Sequence, residues 1–169
     1  VITGGAGSVG LASAKALSEE GAIIMLVDRD MAALEQAADA IGSSDTLVAA
    51  ADISDTTQVQ AFVKQATDAW GKIDVLFANA GVSGTNASVA DYPEDIFDDV
   101  MDVNVRGTFL TLKHAIPHLR DGWSIVVTSS IMGVRTRPGT VAYITSKHAL
   151  IGMVRCVARE SAGRNIRAN

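Results

Sequence analysis

Short apolar runs alternating with segments that carry helix start and stop signals constrain this chain more than any single motif. Ala22-Ile-Ile-Met-Leu-Val27, Thr46-Leu-Val-Ala-Ala50, Ile73-Asp-Val-Leu-Phe-Ala78 and Ser124-Ile-Val-Val-Thr128 read as buried strands. Between them the pattern predicts helices over residues 8–20, ended by Gly21, and 31–41, ended by Gly42. A third opens at Asp55, with Gln58 placed as in a capping box, and ends at Gly71. A long helix is expected after Asp91, with Pro93 in its first turn, running towards Leu119; a last one covers residues 142–162. Parallel strands joined through helices need crossover connections. The expected fold class is therefore α/β, a doubly wound parallel sheet with helices on both faces.

A length of 169 residues suits one domain with a sizeable core, so residues 1–169 are read as a single domain. Both ends read as cut. Val1-Ile2-Thr3 is only the tail of a strand that this fold places centrally, and Asn165-Ile-Arg-Ala-Asn169 stops as another strand begins. A net charge of −5 argues against nucleic acid or an anionic membrane as a partner held by bulk electrostatics. No apolar run is long enough to span a bilayer. The single cysteine, Cys156, cannot form an internal disulfide, which points to a reducing, cytoplasmic setting; it reads as a small core hydrophobe. His114, His118 and His148 lack metal-ligand company and read as partner-free surface or packing residues, so no metal is expected. Trp70 and Trp123 read as packing residues.

The stretch Thr3-Gly-Gly-Ala-Gly-Ser-Val-Gly10 lies where the first strand turns into the first helix. Gly5, Gly7 and Gly10 fit G-x-G-x-x-G, and Gly4, Gly7 and Gly10 fall at spacing three. In either register glycines let the backbone turn tightly and approach a pyrophosphate, whose charge the helix N-terminus attracts. Alone, such a turn needs no ligand. Asp28, 18 residues after Gly10, ends the next strand near the ~20-residue spacing of a ribose-binding acid. A carboxylate there accepts both adenosine ribose hydroxyls and repels a 2′-phosphate, which favours NAD over NADP; Arg29 beside it could instead meet that phosphate.

Tyr143 and Lys147 are four residues apart and share one face of the last helix. Bringing a phenol from a pKa of about 10 to about 7 needs roughly 4 kcal/mol. One ammonium about 4–5 Å away supplies about that much at an effective dielectric near 20. Y-x-x-x-K alone is more often a surface helix pair. With Asn79-Ala80-Gly81, Asn104-Val-Arg-Gly107 and Ser129-Ser130 in order along the chain, however, the whole length resembles the short-chain dehydrogenase/reductase family.

That resemblance implies an NAD-dependent oxidoreductase of the Rossmann fold, interconverting a small secondary alcohol and a ketone. It casts Tyr143 as general acid/base, Lys147 as the group tuning it and holding the nicotinamide ribose, and Ser130 as the substrate hydrogen-bond donor. Ser129, its neighbour, should face the other way. Asn104 would hold a relay water, or only pin a helix kink. Gly4, Gly7, Ser8, Val9, Gly10, Asp28, Arg29, Asp52, Ile53, Asn79, Ala80, Gly81, Tyr143 and Lys147 are the implied cofactor contacts, with Asn79 alternatively a tie between strands. Simple oxidoreductases of the family carry glycine where this chain has Ser8; glycines at spacing three are more usual in its epimerase-containing branch. Ser8 is expected to meet a phosphate through its backbone or hydroxyl. A non-catalytic NAD-binding sensor and an epimerase with tightly held NAD are the competing readings. The helices over residues 95–119 and 142–162 resemble those that pair family members into homodimers and homotetramers. The loop from Val82 to Val89 reads as a polar, mobile connection.

Overall fold

The computed structural model describes residues 1–169. Six strands form one parallel sheet: β1 (Ile2–Thr3), β2 (Met25–Asp28), β3 (Leu47–Ala50), β4 (Ile73–Ala78), β5 (Leu119–Val127) and β6 (Arg167–Ala168). Their spatial order is β3-β2-β1-β4-β5-β6, the expected doubly wound α/β arrangement. The chain winds outward from β1 to β3, then crosses back to β4 on the other side of β1. Connections leaving the carboxyl ends of β1 and β4 therefore diverge, which opens a crevice between them.

Helices α1 (Ser8–Glu19), α2 (Met31–Ile41), α3 (Thr56–Trp70), α4 (Glu94–Met101), α5 (Thr108–Ala115) and α6 (Val141–Glu160) cover the sheet. Their ends follow local chemistry. Asp30 accepts the Ala33 amide at 3.2 Å to start α2, and Gly42 ends it in the left-handed region at φ 75°. Asp55 accepts the Thr57 and Gln58 amides at 2.8 and 3.1 Å to start α3. These bonds, that from Gln58 foremost, hold the Asp55 carboxyl below its usual range. The expected capping box is incomplete, because the Gln58 side chain reaches past Asp55 and accepts the Asp52 amide.

Alternation along the strands divides the core between the two faces. Ile2 and Leu26 pack with Ala14, Leu34 and Ala37 of α1 and α2. Met25 and Val27 face the larger cluster, built on Val59, Phe62 and Val63 of α3, Leu110 and Leu112 of α5 and Leu150 of α6. Burying each large apolar side chain contributes about 1.5–3 kcal/mol.

Several expectations are corrected. β2 begins at Met25 rather than Ala22, since only Met25 onward pairs with β3. The long helix is three pieces: α4, a π-helical stretch over Asp102–Gly107, and α5, followed by a 3₁₀ turn over Ile116–His118. Pro93 precedes the first turn as its N-cap. β5 starts at Leu119, five residues before the expected strand, because Leu119 pairs with Ile73 ahead of an irregularity; regular pairing resumes at Ser124 opposite Val75. Cys156 is exposed rather than in the core. Trp123 is 44% exposed, whereas Trp70 packs on the main cluster. His148 has a partner after all, its Nδ1 lying 2.9 Å from the Ile144 carbonyl oxygen.

Candidate active site

The β1–α1 turn is built by close approach. Gly4 adopts φ +65°, and a Cβ at Gly10 would lie 2.1 Å from the Gly4 carbonyl oxygen, so the helix starts against the strand end. Gly7 donates its amide to the Gly4 carbonyl at 3.2 Å, the next amide to bond is that of Leu11, to the Gly7 carbonyl at 2.8 Å, and no side chain caps α1. The amides of Ser8, Val9 and Gly10 therefore point out of the helix without an intrahelical partner. An anion fits there for electrostatic reasons.

Asp28 ends β2 beside this turn. One carboxylate oxygen accepts the Ala6 amide of the glycine loop at 3.2 Å and the other accepts the Arg29 amide at 2.8 Å. A carboxylate has about four acceptor positions, so roughly two stay open for hydroxyl donors.

Asn79, at the end of β4, is a tie between strands. Its Nδ2 donates to the Thr3 and Gly4 carbonyls at 3.2 and 3.3 Å, and its Oδ1 accepts the Thr128 hydroxyl at 2.9 Å. Thr3 Oγ1 in turn accepts the amides of Asn79 and Ala80. The switch point between β1 and β4 is thereby cross-braced on to β5.

Lys147 is only 4% exposed and donates to the Thr128 carbonyl at 2.8 Å. Its Nζ lies 5.6 Å from the centre of the Tyr143 ring. Burial pushes its ammonium below the ordinary lysine value. One helical turn thus presents a phenol with a cation beside it, at the mouth of the same crevice.

That crevice has a volume of about 570 Å³. Every implied cofactor contact except Gly10 lines it, so the glycine loop, Asp28, Arg29, Asp52, Ile53, Asn79-Ala80-Gly81, Tyr143 and Lys147 share one wall-to-wall space. Gly10 lies behind the loop, where it permits the turn. Asn104 and Ser130 do not line it. Asn104 is fully buried in the π-helical stretch, its amide bonded to Val82 and Ser146. Ser130 caps a 3₁₀ turn, its hydroxyl oxygen accepting the Met132 amide at 3.1 Å and its proton left to donate elsewhere. Ser129 does line the crevice, yet its hydroxyl donates to the Lys147 carbonyl at 3.0 Å.

Three polar residues of the site escaped the sequence reading. Thr3 and Thr128 brace Asn79, and Ser146 links Asn104 to α6. Thr3, next to the glycine loop, and Ser146, one helical turn after Tyr143, were signalled only by position. The Val82–Val89 connection is tied down: Thr85 donates its amide to the Tyr92 hydroxyl at 3.2 Å and Ala87 donates to the Gly139 carbonyl at 2.9 Å. No group of three or more His, Cys, Asp or Glu side chains is placed to hold a metal ion, and no helix is long and apolar enough to cross a membrane.

The family described as enoyl-(acyl carrier protein) reductase matches residues 4–169. The chain is 33% identical over 174 residues to short-chain dehydrogenase/reductase ABA4 of Pyricularia oryzae, an alignment covering 99% of this chain and 65% of that protein. Levodione reductase of Leifsonia aquatica is 35% identical over 175 residues, covering 100% and 66%. A crystal structure of levodione reductase superposes with a TM-score of 0.96 at 34% identity, covering 99% of this chain and 67% of that one. NAD⁺-bound xylitol dehydrogenase gives 0.94 at 38%, covering 99% and 66%. A short-chain dehydrogenase from Burkholderia cenocepacia in complex with NADP gives 0.93 at 31%, covering 99% and 70%. Fold and relatives agree on a Rossmann-like α/β protein. The chain belongs to the short-chain dehydrogenase/reductase family. It spans about two thirds of the length of the curated relatives it matches, 65% and 66% for the two above.

Proposed function

We propose that the chain carries the cofactor-binding and proton-transfer half of an NAD(P)-dependent oxidoreductase that interconverts a secondary alcohol and a ketone. The observation that carries this reading is the convergence of Tyr143 and Lys147 on the crevice floored by the glycine loop and flanked by Asp28. The residues present fit a dinucleotide. The open amides of Ser8 and Val9, which line the crevice, suit its diphosphate, and the spare acceptor positions of Asp28 suit the adenosine ribose hydroxyls. When bound, the nicotinamide supplies or receives the hydride.

The chain's own residues handle the proton. Tyr143 gives one to the carbonyl oxygen in reduction and takes it back in oxidation. Lys147, fixed on the Thr128 carbonyl, keeps positive charge beside the ring and favours the phenolate when the proton leaves. Ser130 is the proposed donor to the substrate oxygen, because its hydroxyl proton is uncommitted. Both Asn104 amide hydrogens are engaged and its Oδ1 accepts the Val82 amide, so the relay water is proposed to be held by other atoms of the π-helical stretch.

Asp28 supports NAD as the preferred nucleotide, in keeping with the NAD⁺-bound neighbour; exposed Arg29 is the feature that admits NADP. A small alcohol or ketone is the proposed partner, in a cytoplasmic protein. Exposed Phe109 and half-buried Met153, on helices α5 and α6, support pairing of copies through these helices as a homodimer or homotetramer.

Tyr143→Phe tests the reading. It should abolish NADH-linked turnover over an alcohol and ketone panel while NADH binding survives. Retained turnover removes Tyr143 from the chemistry.

A further inference from the structure

We infer that Ser146, which does not line the crevice, is a positioning residue that locks the Tyr143 turn of α6 to the crevice wall; the consequence for turnover rests on the oxidoreductase reading above. Ser146 lies between Tyr143 and Lys147 in sequence and is completely buried. Its hydroxyl donates to the Tyr143 carbonyl at 2.7 Å and accepts one hydrogen of the Asn104 side-chain amide at 2.9 Å. The second hydrogen of that amide goes to the Val82 carbonyl at 2.8 Å, and Asn104 Oδ1 accepts the Val82 amide at 2.8 Å.

A serine inside a helix often bonds back to a carbonyl one turn earlier and does nothing more. Here the remaining acceptor capacity of the hydroxyl is taken from outside the helix. Three segments are thereby joined through two side chains, Ser146 and Asn104: the first turns of α6, the π-helical stretch, and the chain just beyond β4. The π turn is what carries Asn104 inward, and Asn104 is as fully buried as Ser146.

Both donors of the Asn104 amide are engaged and its oxygen accepts one bond, so every member of the network has a partner. A fully satisfied neutral network in a buried site rigidifies what it joins. It joins the residue proposed to transfer the proton to Val82, which lines the crevice. Gly81 packs against both the network and the lysine: a Cβ there would be 3.0 Å from Asn104 Oδ1 and 3.4 Å from Lys147 Nζ. Tyr143, Lys147 and the Val82 wall are thus held as one body. Displacing a reacting group by about 1 Å can lower turnover about 100-fold. Removing one hydroxyl that touches no reactant should therefore act on turnover rather than on binding.

The test compares the full-length parent protein with Ser146→Ala and Ser146→Cys. The thiol keeps the approximate volume and weakens both bonds. Ser146→Ala should lower kcat by about 30–100-fold, with the substrate KM and the NADH Kd each within about threefold of the parent. Ser146→Cys should fall between, a graded rescue that follows bond strength. A second readout needs no substrate: by NMR of the cofactor-free proteins, the Asn104 side-chain amide hydrogens should exchange at least about tenfold faster in Ser146→Ala. A kcat within about threefold of the parent, a joint loss of kcat, KM and NADH affinity, or unchanged Asn104 exchange would each overturn the inference. A parent protein that reduces no ketone but shows the exchange contrast overturns the oxidoreductase reading and leaves the clamp standing.

Discussion

Alanine at Gly10 puts a methyl carbon 2.1 Å from the Gly4 carbonyl oxygen and 2.9 Å from its carbonyl carbon. Neither neighbour can yield easily, since both are backbone and Gly4 is itself held against Ala80, whose Cα would lie 2.9 Å from a Cβ there. Overpacking of this kind costs about 1–3 kcal/mol, and backbone contact argues for the upper end. Replacing glycine by alanine inside a helix returns up to about 1 kcal/mol. The net loss is about 2 kcal/mol, or a Tm lower by about 4–8 °C for a chain of this size. Gly7→Ala is the contrasting variant. Its Cβ meets only the Gly4 oxygen at 3.3 Å, and φ −72°, ψ 161° suits alanine. Calorimetry without cofactor should show a Tm within about 2 °C of the parent. Gly7 lines the crevice, however, so an added methyl should raise the NADH Kd about tenfold, equivalent to about 1.4 kcal/mol. Fluorescence titration with NADH measures that. A Gly10→Ala protein that melts with the parent, beside a Gly7→Ala protein that is destabilised, would falsify this division between a glycine required by the fold and one required by a phosphate.

Three further outcomes are expected. Burial disfavours the Lys147 ammonium in the folded state, so its contribution to stability improves as pH climbs from its lowered value to the ordinary 10.5. The Tm difference between Lys147→Met and the parent should therefore shrink as pH approaches 10.5, and a difference independent of pH over that window would refute burial as the cause. Asn79→Ala removes two donated bonds and one accepted bond between strands and should cost about 2–4 kcal/mol of stability, read by calorimetry without cofactor. An unchanged Tm with lost NADH binding would make Asn79 a ligand instead. Ser8→Gly, at an exposed first helical residue, should leave the NADH Kd within about twofold; markedly tighter binding would reveal a hydroxyl crowding the diphosphate.

Features written in local chemistry are legible in the sequence. Asp55 starts a helix with its own side chain, Gly42 stops one, and strand–helix alternation dictates the parallel sheet. The glycine loop, Asp28 and the Tyr143–Lys147 pair are spacings within or between adjacent elements, and these residues line one crevice. What was illegible depends on partners distant in sequence. The family resemblance allowed a helix kink pinned by Asn104, but nothing local announces π turns over Asp102–Gly107, because Asn104 takes its partners 22 residues back and 42 residues ahead. The early start of β5 is set by Ile73 across the ladder, not by the composition of Leu119-Arg-Asp-Gly-Trp123. Apolar character says that Cys156 and Trp123 gain from burial; it does not say how far neighbouring elements cover them, and Cys156 is exposed while Trp123 is only partly covered.

Asp28 grips the Ala6 amide as well as facing the crevice, and this joins two properties that protein engineers treat separately. Exchanging the acid for a neutral residue to admit a phosphorylated ribose also unfastens the loop on which the diphosphate rests. Affinity for the non-phosphorylated dinucleotide should then fall for two reasons at once, while the gain for the phosphorylated one is partly cancelled. A redesign that restores an acceptor for Ala6 should separate nucleotide choice from loop order.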